Sequence, residues 1–235
     1  MPVGVTLDNP RVTRARAQRA RKPAGLKEAG PLSSGPAETE PEKRRAILHA
    51  AVRVFAEKGY HGCRIADVAK AAGVAYGLVY HYFKSKEELL ESVSAEQWEI
   101  LVNALKRVDE GPGTAPEKLE AMLAFVFDVF KTAPAAVRVL LLEVTRTPHA
   151  LRAGSTREAF EVAVRILAEV ITSGQARGEL RPDIDPLTSA AGVLGALELA
   201  VTAMVVGIVP AGDEAAIDRA RGQVAALVLG GLRPR

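Results

Sequence analysis

From Thr39 onward apolar residues return every three or four positions, the period of a helix with one buried face. No stretch alternates as a half-buried strand must, and no Asn-Gly hairpin signal occurs, so the chain reads as all-α. The stretch 41–58 sets Ile47, Ala51, Val54 and Phe55 on one stripe, and 65–72 does the same with Ile65, Val68, Ala69 and Ala72. Four pairs have capping-box spacing, in which a hydroxyl and a carboxylate three residues apart satisfy orphan backbone donors: Thr39/Glu42, Ser85/Glu88, Thr114/Glu117 and Ser155/Glu158. Asp185-Pro186 and Asp213 offer further N-caps. Stops fall at Gly59, Gly111-Pro112-Gly113, Pro134, Pro148, Gly178, Pro210 and Gly230-Gly231. The predicted helices are 41–58, 65–72, 76–82, 86–109, 116–132, 135–146, 155–177, 186–208 and 213–229. Residues 1–38, rich in Pro, Gly, Ala and Arg, have no apolar period and read as a flexible basic N-terminal arm.

Two of these helices are short and joined by a tight break. Ala72-Gly73-Val74 supplies the turn between 65–72 and the helix beginning near Ala75, which is the helix-turn-helix pattern. In the third helix Val79 and Phe83, four apart, anchor to the core, leaving Tyr76, Tyr80 and Lys84, with Gly77 and His81, on the opposite face. Such a face suits a major groove, although a helix packed at the surface with half-buried tyrosines has the same period.

The chain carries a formal +3, but residues 1–40 and 41–92 each carry +3 while the remainder carries −3, so DNA, if bound, is expected near the N-terminal end. A single cysteine, Cys63, excludes an internal disulfide framework and a multi-thiolate metal site. There is no phosphate loop, nucleophile elbow or metal pair, and His149 and Ser155 lack a third partner, so neither enzymatic activity nor a cofactor is expected. His81 likewise has no second ligand at metal spacing. MPVGVTLDNP shows no secretion pattern, and a cytoplasmic location is expected. Leu187 to Val209 is nearly long and apolar enough for a membrane span, but Glu198 near its middle and its Ala and Gly content favour a buried interface helix and no membrane partner.

The wording of the motif goes further. Ile65-Ala66-Asp67-Val68-Ala69-Lys70-Ala71-Ala72-Gly73-Val74, followed by Gly77-Leu78-Val79-Tyr80-His81-Tyr82-Phe83-Lys84-Ser85-Lys86-Glu87-Glu88-Leu89-Leu90, closely resembles the DNA-binding signature of the tetracycline-repressor (TetR) family. Ala46-Ile47-Leu48 and Phe55-Ala56-Glu57-Lys58-Gly59-Tyr60 match upstream at the right spacing. The resemblance implies a helix-turn-helix DNA-binding domain over 39–90, a helical ligand-binding and dimerisation domain over 91–235, and a transcriptional repressor acting on double-stranded operator DNA. It places Ala75, Tyr76, Gly77 and Leu78 against base edges, and Tyr80, His81 and Lys86 on phosphates. Arg64 would reach the backbone or a guanine, with Lys84 and Arg45 as further phosphate candidates. Family members commonly have Ser or Thr near 63 and 64, Lys or Arg near 76, and Thr at 78; Cys63, Arg64, Tyr76 and Leu78 depart from this, so the operator sequence is not inherited.

Beyond residue 90 only helix number and length resemble the family. Small residues crowd the last two helices, and a homodimer through Gly192, Gly195, Ala196, Leu199, Ala203, Ala220, Val224 and Leu227 is expected. The middle helices carry Trp98, Leu101, Leu105, Phe125, Phe130, Leu140, Val144 and Phe160, which read either as plain core or, by the resemblance, as the wall of a site for a small apolar or amphipathic ligand. Helix 86–109, continuous with the DNA-binding module, is the expected lever between ligand and operator. The competing function is an architectural DNA-binding protein that answers to no effector.

Overall fold

The computed structural model describes residues 39–141 and 154–234; the proposed basic arm, the end of predicted helix 135–146 with Val144, and the stop at Pro148 lie outside the described residues. Among the described residues there are nine helices and no strand. Helix α1 (Glu40–Lys58) starts at the Thr39 capping box, where the Thr39 N–H donates to Glu42 Oε2 at 2.6 Å. α2 (Ile65–Ala72) is capped by Asp67, which accepts from the Arg64 N–H at 2.8 Å and from Lys58 Nζ at 2.7 Å. It stops at Gly73, whose φ of +70° lets the Val74 N–H return to the Ala69 carbonyl at 3.0 Å. α3 (Tyr76–Tyr82) follows at once. Phe55, Val68, Val79, Phe83 and Leu89 fill the core of this head.

α4 (Lys86–Glu110) belongs to both halves of the molecule: Leu89, Leu90 and Val93 enter the head core, and Trp98, Val102 and Leu105 enter the body core. Its cap differs from the predicted box. Ser85 Oγ accepts from the Glu88 N–H at 3.1 Å, but Glu88 Oε2 takes the Lys84 N–H at 2.7 Å, so the carboxylate caps one residue upstream. The body adds α5 (Ala115–Thr132), α6 (Pro134–Val139), α7 (Ser155–Ala176), α8 (Pro186–Val205) and α9 (Glu214–Leu232). The predicted Thr114/Glu117 box and the Asp185 and Asp213 caps are all formed. α7 and α5 touch where glycine is required: a Cβ on Gly174 would lie 2.5 Å from Ala115 Cβ and 2.8 Å from Leu180 Cδ1. Glu179 Oε2 then accepts the Ala115 N–H at 2.7 Å, fastening the start of α5 to the α7–α8 connection.

A cap and two helix ends depart clearly from the sequence reading. Ser155 is not a cap but the first residue of α7, preceded by Gly154 at φ +101°, a conformation open to glycine. α8 ends at Val205, three residues before the predicted 208, because Gly207 at φ +78° closes the helix and the Ile208 N–H returns to the Ala203 carbonyl at 2.8 Å. α9 instead runs through Gly230-Gly231 to Leu232, since burial of Leu229 and Leu232 holds the last turn and neither glycine adopts a positive φ. α8 is long and apolar enough by composition to cross a bilayer, yet its inner stripe of Val193, Leu194, Leu197 and Val201 is buried against the body core.

Candidate nucleic-acid interface and ligand cavity

α3 is rooted by Val79 and Phe83, which are essentially inaccessible, and the four-residue offset turns Tyr76 and Tyr80 outward, 53% and 42% exposed. Their rings meet edge to face with centroids 5.1 Å apart, and their hydroxyls lie 3.3 Å from each other. That pairing raises the Tyr80 pKa above the ordinary 10, chiefly through the Tyr76 hydrogen bond, so the Tyr80 phenol is a neutral donor at neutral pH. Ala75 and Gly77 are exposed beside them, Leu78 is half-buried, and a Cβ at Gly77 would meet nothing within 4 Å. The face is therefore low, with room for another molecule to approach the backbone.

The flanks of α3 are tied to the head. Tyr82 OH donates to the Glu40 carbonyl at 3.2 Å, and the Arg44 guanidinium lies 5.2 Å above the Phe83 ring. His81 is exposed, with Nε2 4.0 Å from Glu40 Oε1. Arg45, Arg64 and Lys84 are exposed. Lys86 is placed differently. Its Nζ donates to the carbonyls of Tyr60 (2.6 Å) and Cys63 (3.1 Å) and sits 4.3 Å from the Tyr60 ring centroid, bracing the α1–α2 loop against the start of α4. An ammonium has three N–H donors, so a phosphate contact by Lys86 would use the remaining one. Tyr60 OH donates to Glu87 Oε1 at 2.7 Å in the same joint; burial, and then this carboxylate, hold the Tyr60 phenol far above its usual range. The Tyr60–Glu87 hydrogen bond escaped the sequence reading because it spans 27 residues and has no local period. No group of three His, Cys, Asp or Glu side chains among the described residues could hold a metal ion.

The body contains a cavity of about 680 Å³ walled mainly by apolar groups of α4 to α8. Of the predicted ligand residues, Trp98, Leu101, Phe125, Leu140 and Phe160 line it. Leu105 and Phe130 do not; both are buried in the solid core beside it. Sequence reasoning missed Leu194, Leu197 and Val201 of α8, having given that helix to dimerisation on its small residues, although their spacing of three and four marks an inner stripe. It also missed the Arg157–Glu161 pair on α7, 2.8 Å apart at helical i,i+4 spacing. Buried at the wall, Thr156 Oγ1 lies 3.0 Å from Ser94 Oγ and pins α7 to α4. Of the predicted interface residues on α8 and α9, Gly192, Gly195, Leu199 and Leu227 are exposed and Ala203 is half-buried, whereas Ala196, Ala220 and Val224 are half-buried and pack against the body core. Leu199 and Leu227 are 71% and 73% exposed, large apolar groups facing water in the single chain.

The family described as bacterial regulatory proteins, tetR family, matches residues 47–93, and the tetracyclin repressor-like C-terminal domain matches 116–202. The fatty acid metabolism regulator protein of Bacillus subtilis is 31% identical over 163 residues, which cover 69% of this chain and 84% of that protein. The transcriptional repressor NicS of Pseudomonas putida is 32% identical over 60% of this chain and 67% of its own length. The crystal structure of the regulator FadR from Bacillus subtilis in complex with stearoyl-CoA superposes with a TM-score of 0.71 at 28% identity, covering 80% of this chain and 98% of that one.

Proposed function

Since the chain belongs to the tetR family of bacterial regulatory proteins and is a ligand-responsive DNA-binding transcriptional repressor, we propose that it works as a homodimer whose two α3 helices read one operator and whose body cavity takes a fatty acyl effector. In this reading Ala75, Tyr76, Gly77 and Leu78 meet base edges, Tyr80, His81, Lys84 and Arg45 hold the phosphates, Arg64 reaches the backbone or a guanine, and Lys86 chiefly fixes the loop that carries Arg64. The outer faces of α8 and α9 pair with their symmetry mates, removing Leu199 and Leu227 from water; each such side chain contributes about 1.5–3 kcal/mol when fully buried. The acyl assignment is supported by the apolar cavity wall and by the stearoyl-CoA bound to the Bacillus subtilis regulator.

The observation that carries the coupling is Leu140. It lines the cavity and packs against both cores, directly after Val139, which is buried in the head, and close to Val137, which is buried in the body. Filling the cavity therefore presses on a side chain that also packs against the head core, while α4 contributes to the same two cores. A coupling of about 1–3 kcal/mol between the two sites is the ordinary size. The test is an operator titration against salt, with and without stearoyl-CoA. About four phosphate contacts per subunit give a dimer a log–log slope near −7. A slope near about −3 removes the dimer, and an affinity untouched by the ligand leaves an effector-independent binder for this compound.

A further inference from the structure

We infer that the basic segment from Arg11 to Lys22 binds the minor groove of the DNA flanking each operator half-site, an inference resting on the reading that α3 faces that half-site. The segment holds Arg11, Arg14, Arg16, Arg19, Arg21 and Lys22 and no acidic residue. Neither the face of α3 nor the cavity uses this charge. A run of like charges repels itself, and a polyanion relieves that repulsion. Five of the six cations are arginines, and Ala15 and Ala20 stand between Arg14 and Arg16 and between Arg19 and Arg21. The minor groove is only about 6 Å wide, so a chain entering it needs small side chains between its guanidinium groups. Its negative potential, which attracts arginine, is deepest where A·T tracts narrow it.

The fold brings the chain into the head at the right place for this contact. α1 begins at Glu40, and its first turn lies against the end of α3: the Glu40 carbonyl accepts from Tyr82 OH at 3.2 Å, and Glu40 Oε1 is 4.0 Å from His81 Nε2. With His81 on a phosphate, the residue before α1 stands beside the sugar–phosphate backbone. Residues 23–39 join Lys22 to α1 and carry one lysine, Lys27, against Glu28 and Glu38, so the spacer itself has no excess of positive charge. Fully extended, a spacer of that length reaches at most about 60 Å. The minor groove next to the major groove that α3 enters is about half a helical turn away, roughly 17 Å. The spacer therefore reaches it without displacing the head.

The test compares the full chain with a full-length variant combining Arg11→Gln, Arg14→Gln, Arg16→Gln, Arg19→Gln, Arg21→Gln and Lys22→Gln, the two having matched melting temperatures. Both are titrated by anisotropy with a selected operator duplex whose flanks are A·T, inosine·C or G·C pairs. Inosine lacks the 2-amino group of guanine, so its pair with C resembles A·T in the minor groove and G·C in the major groove. The full chain is expected to bind the A·T and inosine·C flanks alike, about three- to tenfold more tightly than the G·C flanks. The variant is expected to bind all three alike and to lose about tenfold or more in affinity at low salt. With about three of the six cations per subunit on phosphates, its log–log salt slope is shallower by about 5 and returns to the value near about −7 given by the head contacts. Equal affinities and slopes for the two proteins overturn the inference and leave α3 as the reading element. A shallower slope in the variant without any flank preference in the full chain puts the segment on phosphates alone and overturns the minor-groove assignment. No preference of either protein for the operator over a scrambled duplex overturns the reading of α3, and the inference with it.

Discussion

Around α3 the interior is full and the polar groups stand outside: Val79 and Phe83 are buried, Tyr76 and Tyr80 exposed. Between α4 and α8 the arrangement is inverted, with mainly apolar side chains surrounding a cavity of about 680 Å³. The head needs a rigid platform, because its chemistry is performed on a molecule that lies outside it. The body leaves contacts unmade so that a ligand can make them, and a packed interior without such a hollow would have nothing to gain on binding.

The contrast is sharpened most by emptying the full side. Phe55→Ala should cost about 3–5 kcal/mol of stability, as large cavities in filled cores do, and abolish operator binding near physiological temperature while stearoyl-CoA still protects the body against proteolysis. Parallel loss of ligand binding would show that head and body are not separable. Next in size, Leu199→Asp with Leu227→Asp should yield monomers by sedimentation and weaken operator binding by about 100-fold or more, since the second half-site is no longer tethered. An unchanged sedimentation coefficient would place the dimer elsewhere.

The two halves were also unequally legible. In the head every determinant is local: Gly73 ends α2, Val79 and Phe83 root α3, and the outward tyrosines follow from a period of 3.6. Boundaries 65–72 and 76–82 coincide with the observed helices for that reason. What the head concealed was the brace of Lys86 on the Tyr60 and Cys63 carbonyls, 26 and 23 residues away in the chain. In the body, whether an apolar residue lines a hollow or fills a core depends on distant helices, so Leu101 and Leu105, one turn apart on α4, part company. The end of α8 was misplaced because Gly207 was passed over in favour of Pro210 as the stop.

Smaller effects test the link and the caps. Leu140→Ala should leave operator affinity without ligand near wild type but reduce the effect of saturating ligand on the operator from about 1–3 kcal/mol toward zero; full coupling in this variant would remove Leu140 from the relay. Smallest is a pH effect. Arg177 and then the Ala115 N–H hold the Glu179 pKa below its ordinary 4.5. A depressed folded pKa means the unfolded chain binds more protons, so this stabilisation is complete above pH 4.5 and is lost as pH falls through the lowered value. Glu179→Gln should lower the melting temperature slightly at neutral pH and flatten its decline below pH 4.5; an unaltered acid limb would show that the carboxylate contributes nothing there.

The central claim is that the tyrosine-bearing face of α3 distinguishes one duplex sequence from another. Anisotropy of purified protein on a duplex enriched by binding-site selection, against its scrambled counterpart at moderate salt, should show a palindrome bound about a thousandfold more tightly or better, with that ratio falling by about tenfold or more in Tyr76→Ala. Equal affinity for the two duplexes would contradict it.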